Sequence, residues 1–387
     1  MTPRIVMTIM VRDEADVIAS MIDHHREQGV AFFVVTDNGS VDGTTEILQG
    51  YADQGILELR HDPVHRKQQS PVVTQMARDA YTLHGADWVL NADADEFWVA
   101  KNPEITLAEA FSHIPKSIRS FIVPVVDMTG APAEAGTGLE RLRFRDTRDA
   151  AELARIGLRD HSTHDCAHVG DPEVNVVQGN HFVSIASEGA PDPEWEIEVL
   201  HLPWRSWDQF RRKVENAGRS YEANPELTPS PNHHGMRDYS HLRAGTLRSL
   251  YIARCLSPEE IAGADQNPDL NLESRLQKSG IRVVPDVLFA PETEAEERTL
   301  GLLRADAFRL NARLSHTTAE LEHTAAELAE SRAHAARLQS ELDTRTAERE
   351  DAHHRLDLTQ RELQALRRRF LVRVDSRLRR TSSSGAN

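Results

Sequence analysis

The chain has little cysteine: Cys166 and Cys255 are its only two in 387 residues. Two cysteines cannot build a disulfide framework, and neither sits in a Cys-x-x-Cys pair. A reducing, cytoplasmic setting is therefore expected, with both thiols as packing residues. Basic charge is also short. Lys and Arg number 45 against 61 Asp and Glu, for a net charge of -16, which argues against duplex nucleic acid as the main partner. The first apolar run is too short and too early for a signal peptide or a membrane span. The length suffices for one sizeable domain and an appendage.

Against these absences stands an ordered N-terminal pattern. Residues Arg4 to Val11 form an apolar run that reads as a buried strand. The segment Arg12-Asp13-Glu14-Ala15-Asp16 then predicts a helix through about Gln28, its acids at the favourable N-terminal end. A second strand, Ala31 to Thr36, ends in the turn cluster Asp37-Asn38-Gly39-Ser40-Val41-Asp42-Gly43-Thr44, where a helix starts. A third strand follows from Ile56 to Arg60, then a helix from about Pro71 to Leu83. A short strand, Trp88 to Leu90, leads into Asp93, Asp95 and Glu96. Strands alternating with helices predict an α/β fold with a mostly parallel sheet. Ligands of such sheets sit outside the carboxyl ends of the strands, where Arg12, Asp37 and Asp93 would share one crevice. Closely spaced carboxylates suit Mg²⁺ or Mn²⁺; the alternative is a solvated acidic turn.

The motifs Val11-Arg12-Asp13-Glu14, Asp37 to Thr44, and Asp93-Ala94-Asp95-Glu96-Phe97 resemble a glycosyltransferase of the family 2 type. The resemblance is closest to its bacterial Asp-x-Asp-Glu-Phe branch, related to the family 92 type. It is strong through Trp98 and thinner beyond. It implies a Rossmann-like GT-A domain, a nucleotide-sugar donor with UDP favoured, and Mn²⁺ or Mg²⁺. It places Asp37 and Asn38 on the nucleotide, Asp93 on the ribose or metal, and Asp95 on the metal. It makes Arg66 and Lys67 diphosphate partners and assigns His201, at the end of a later strand, to the metal or diphosphate. Arg12 joins the donor side. Arg205 and Lys213 would neutralise the diphosphate leaving group. The acceptor is expected to be a glycan, a lipid-linked sugar or a protein.

An inverting transfer needs a carboxylate to take the acceptor proton. Asp171 and Glu173, just before a turn at Gly179, are the first candidates, with Glu194, Glu196 and Asp127 as others. Residues His161, His164, His168 and His181 form a histidine-rich stretch, but without metal-ligand spacing it does not predict zinc. A phosphatase reading fails because Phe97 stands where an Asp-x-Asp-x-Thr motif needs threonine.

The catalytic domain is expected over residues 1–290, followed by an acidic linker over 291–302. A heptad repeat follows, a coiled coil over 303–372. Its first core positions are Leu314, Leu321, Leu328, Ala335, Leu342, Arg349, Leu356, Leu363 and Phe370. Its second are Leu310, Thr317, Thr324, Ser331, Leu338, Arg345, Ala352, Thr359 and Leu366. The repeat contains neither glycine nor proline and predicts a homo-oligomer. Opposite charges at Glu327 and Arg332, and at Glu362 and Arg367, fit a parallel pair. Residues 373–387 read as a basic, disordered tail, and the arginine-rich end offers peripheral contact with an anionic membrane. A second reading is a catalytically weak nucleotide-binding scaffold that recruits partners through the coiled coil.

Overall fold

The structure is a computed structural model that describes residues 2–63, 69–222, 234–277 and 281–382. It contains two compact units, Met1–Leu310 and Asn311–Asn387.

The first unit is α/β. Its strands are β1 (Ile5–Val11), β2 (Phe32–Asp37), β3 (Leu57–His61), β4 (Trp88–Ala92), β5 (Glu96–Ala100), β6 (Ser120–Val123), β7 (Val125–Thr129), β8 (Ala133–Ala135), β9 (Phe144–Asp146), β10 (Asp165–Val169), β11 (Ile197–His201), β12 (Leu270–Leu272) and β13 (Val287–Leu288). Its helices are α1 (Ile18–Glu27), α2 (Thr44–Ala52), α3 (Gln69–Thr82), α4 (Leu107–His113), α5 (Ala150–Arg155), α6 (Trp207–Glu222), α7 (His234–Arg243), α8 (Leu247–Arg254) and α9 (Pro258–Ala262), with the start of α10 (Pro291–Ser382).

A six-stranded sheet has the order β3-β2-β1-β4-β10-β6. Its first four strands are parallel. The apolar run of β1 exists because both its faces are covered. Ile5, Met7 and Ile9 pack with Met21, Ile22 and Phe33 on one side. Val6 packs with Val34, Val73, Met76 and Val89 on the other. The carboxyl ends of β1, β2 and β4 therefore open on one edge of the sheet. Strand β10 runs antiparallel to β4, with Ala167 opposite Leu90 and Val169 opposite Trp88. Its first residue, Asp165, thus lies at that same edge.

After the acidic turn the chain enters a second sheet, ordered β12-β9-β7-β11-β5. Here His201 pairs with Glu96 on one side and with Asp127 on the other. The turn between β4 and β5 thereby joins the two sheets at the position of Asp93 and Asp95.

Three expectations are corrected. Helix α1 starts at Ile18 rather than near Arg12, because Asp13 takes a left-handed conformation with φ 57°. The N–H groups of Asp13, Glu14 and Ala15 bond Ser40, Thr44 and Asp42 instead of opening a helix. Residues 291–302 are the first turns of α10, not a linker. Arg298 donates from them to the carbonyls of Cys255 (2.6 Å) and Leu256 (3.0 Å). The same helix continues through Ser382, so residues 373–382 are helical rather than disordered.

Candidate active site

The loop between β2 and α2 is tied by its own carboxylates. Asp37 accepts from the Ser40 N–H (3.1 Å), the Ser40 hydroxyl (2.5 Å) and the Thr45 hydroxyl (2.6 Å). Asp42 accepts from the Thr44 N–H (3.1 Å) and from Ala15 N–H (3.1 Å). The backbone reaches α2 through Gly43 at φ 101°, a conformation a side chain would strain. Arg12 donates to the Asn38 carbonyl (2.6 Å), and Asn38 donates to the Asp62 carbonyl (2.8 Å). The Arg12 Nε is buried without a hydrogen-bond partner. Arg12, Asp37 and Asn38 thus meet at the sheet edge. Asp37, with both oxygens already engaged, shapes the loop.

Asp95 is the hub of a second cluster. It is 2% exposed, and its Oδ2 faces the Lys213 ammonium at 2.6 Å, the Arg205 guanidinium at 3.5 Å and His201 Nε2 at 3.7 Å. Burial pushes its carboxyl up, but Lys213, His201 and Arg205 outweigh that and hold it well below the usual carboxylate range. His201 is fixed from its other side, where Nδ1 lies 2.8 Å from Asp127. Burial disfavours its charge, yet the bond to Asp127 and the nearby Asp95 raise its pKa to about 10. Asp127 also accepts from the Ser162 N–H (3.0 Å) and hydroxyl (2.6 Å), and lies 3.3 Å from His161.

Asp93 lies across the turn. Its Oδ1 accepts from Gln69 Nε2 and Asn180 Nδ2, both at 3.2 Å, and its N–H donates to Glu96 Oε2 at 2.8 Å. Among the described residues Oδ2 of Asp93 and Oδ1 of Asp95 have no hydrogen-bond partner. Burial and then Asp95 raise the Asp93 carboxyl. Burial, Asp165 and Asp93 raise Glu96 well above its ordinary value. Asp165 is fully buried with both oxygens unbonded; burial and Asp93 push it to about 7. Carboxylates outnumber cations here, and such a site favours an added positive charge.

The donor chemistry at Asp93 and Asp95 fits a divalent cation: two carboxylates, each with an uncommitted oxygen. Among the described residues no three His, Cys, Asp or Glu side chains are grouped to hold a metal unaided. His201 turns Nε2 toward Asp95 at 3.7 Å while Asp127 holds Nδ1 at 2.8 Å, the arrangement in which a metal-ligating histidine donates its other ring N–H to a carboxylate. Arg205 does not fit as a donor contact. It is wholly buried among Glu14, Asp16 (3.1 Å) and Asp95, so it positions acids rather than meeting solvent. Lys213, with its side chain 45% exposed, is the cation that opens outward.

Asp171 and Glu173 are corrected as base candidates. They follow Val169, which pairs with the start of β4, so they lie at the sheet edge opposite Asp93. Asp171 accepts from the Glu173 N–H (2.8 Å), and Glu173 is exposed. Arg66 and Lys67 lie outside the described residues. Two of the four histidines reach the acidic cluster, His161 at 3.3 Å from Asp127 and His181 at 3.4 Å from Asp165, while His168 is buried against Asn91 (3.1 Å). Sequence reading missed Glu14, Asp16, Asp165 and Asn180 as neighbours of the turn. Asn180 arrives through a tight turn at Gly179, with both residues at positive φ; the Gly-Asn pair was its one local signal.

Residues 6–122 match the model of glycosyltransferase family 92. No curated protein matches the chain. Among solved structures it is similar to the S. aureus TarS fragment 1-349 in complex with UDP-GlcNAc. The identity is 10% over 67% of this chain and 77% of that one, with a TM-score of 0.31. It is also similar to glucosyl-3-phosphoglycerate synthase from Mycobacterium tuberculosis, solved with Mn²⁺, UDP and glucosyl-3-phosphoglycerate. There the identity is 18% over 43% of this chain and 57% of that one, with a TM-score of 0.23. The strands that carry Asp37, Asp93 and Asp95 thus lie in a segment related to glycosyltransferase family 92, and the chain is an enzyme of glycosyl transfer.

Proposed function

We propose that the chain moves a sugar from a nucleotide-diphosphate donor, UDP favoured, to a glycan, lipid-linked or protein acceptor. The observation that carries this reading is the Asp93-Ala94-Asp95 turn at the carboxyl edge of a parallel sheet, within the family-related segment. Asp93 and Asp95 would hold Mn²⁺ or Mg²⁺, a cation that takes one or two carboxylates and completes its shell with phosphates and water. Bound there, it would supply charge neutralisation to the departing diphosphate. Lys213 adds a fixed positive charge from the α6 side. Arg12, on the β1 side, faces the nucleotide. His201 keeps Asp95 ionised and oriented, and Arg205 does the same from beneath. The helix of the second unit pairs with a second copy of the chain.

The test is calorimetry of UDP-sugar binding with Mn²⁺ and with a chelator. Wild-type chain should bind more tightly with Mn²⁺. Asp95→Ala should abolish that metal-dependent part, because a hard cation loses an anionic oxygen. Asp93→Ala should do nearly as much. Affinity that ignores Mn²⁺ in the wild-type chain would remove the metal from this reading. Absence of any nucleotide-sugar binding would remove the reading itself.

A further inference from the structure

The end of α10 carries a charge unlike the rest of this acidic protein. From Leu366 to Arg380 the sequence has seven arginines and a single acid, Asp375. Helix α10 continues through this stretch. Phe370, Leu371 and Val372 are 68%, 65% and 68% exposed. Among the described residues no carboxylate lies within ion-pair distance of Arg367, Arg368, Arg369 or Arg373.

The apolar pattern changes here as well. The heptad seam runs through Leu363, Leu366 and Phe370. Its next two core positions would be Arg373 and Arg377. At Arg345 and Arg349 the seam is weakened but resumes at Ala352 and Leu356, whereas after Phe370 the core positions Arg373, Arg377 and Arg380 are all arginine, so the apolar seam ends at Phe370. A new apolar row then starts, Leu371, Val374 and Leu378, at spacing i, i+3, i+7. Residues one apart on a helix lie about 100° apart, so this row is rotated off the seam by that angle. A second copy joined along the heptads therefore does not cover it. A short apolar row flanked by arginines suits the boundary between headgroups and acyl chains of an anionic bilayer.

We propose that residues 366–380 form a docking helix for an anionic lipid surface. The arginines meet lipid phosphates, and Leu371 and Val374 enter the acyl boundary. One such helix is weak. Each arginine near an anionic surface strengthens binding about fivefold, and a second copy joined along the heptads would add its own set. This assignment is independent of the donor and the metal.

Sedimentation of the full chain with vesicles tests it. The chain should pellet with phosphatidylcholine vesicles containing phosphatidylglycerol, not with phosphatidylcholine alone, and high salt should release it. The triple change Arg368→Glu, Arg369→Glu, Arg373→Glu should weaken binding by about a hundredfold or more. The matching change to lysine should retain it, since charge and not guanidinium shape carries the contact. Leu371→Ser with Val374→Ser should also weaken it while the mass by light scattering stays unchanged. Equal pelleting with both vesicle types overturns the proposal. So does retained binding in the glutamate variant, or binding to single-stranded RNA with no vesicle binding.

Discussion

At the residue scale, Arg205 shows how a charge serves a site without touching a ligand. Its guanidinium is enclosed by Glu14, Asp16 and Asp95 and has no exposure. Glu14 is already pushed up to about 7, by burial first, against the lowering pull of Arg205. Arg205→Ala would leave Glu14 and the half-buried Asp16 without their cation and should destabilise the first unit by about 3–5 kcal/mol. Urea unfolding reads that loss. Metal-dependent nucleotide binding by the fraction still folded should weaken but not vanish, because Lys213 and His201 still face Asp95 and the Arg205 side chain itself does not reach the crevice. A variant of normal stability that has lost nucleotide affinity would place Arg205 on the donor instead. The same enclosure explains why its role was illegible in the sequence. Arg205 follows a strand end, where a diphosphate contact is a fair expectation. The acids that claim it lie 189 and 191 positions away, and nothing local marks them.

At the element scale, legibility follows burial on both faces. Strands β1, β2 and β4 are short apolar runs between helices, and the sequence alone places them to within two residues. The start of α1 was lost for a physical reason. Acids at positions 13, 14 and 16 mimic an N-terminal helix signal, yet tertiary partners take their N–H groups and carboxylates. Strand β5 hid behind the acidic turn that precedes it. The acids at the start of α10 mimic a solvated linker. In the structure Glu297 pairs with Arg248 and bonds Ser249, Gly301 lies against the Ser249 carbonyl, and Ala305 is 1% exposed. The boundary for truncation therefore moves. A chain ending at Leu310 should melt within a few degrees of the full chain's first transition. One ending at Ala290 should melt lower or precipitate, since the face of α8 beneath α10 is uncovered. Equal melting of the two truncations would show that the first turns of α10 contribute nothing to the first unit.

At the scale of the whole molecule, the described side chains of the second unit are all exposed and form no core among themselves. Leu314, Leu321, Leu328, Leu342, Leu356 and Leu363 are between 50% and 66% exposed, at multiples of seven along one helix. Helices draw most of their stability from packing an apolar face, and a row of this length needs a partner. On the proposed pairing that partner is another copy of the chain. In a parallel pair Glu327 meets Arg332 and Glu362 meets Arg367 across the seam. Thr317, Thr324, Ser331, Arg345 and Arg349 weaken the core, so association should depend on concentration. Light scattering should give the full chain a mass that rises toward two chains or more with concentration, and the chain ending at Leu310 the mass of one. Leu321→Asp with Leu328→Asp should return the full chain to one copy without changing nucleotide affinity, because both positions lie outside the first unit. A truncated chain as large in solution as the intact one would place the association surface on the catalytic unit and leave the leucine row to a different protein.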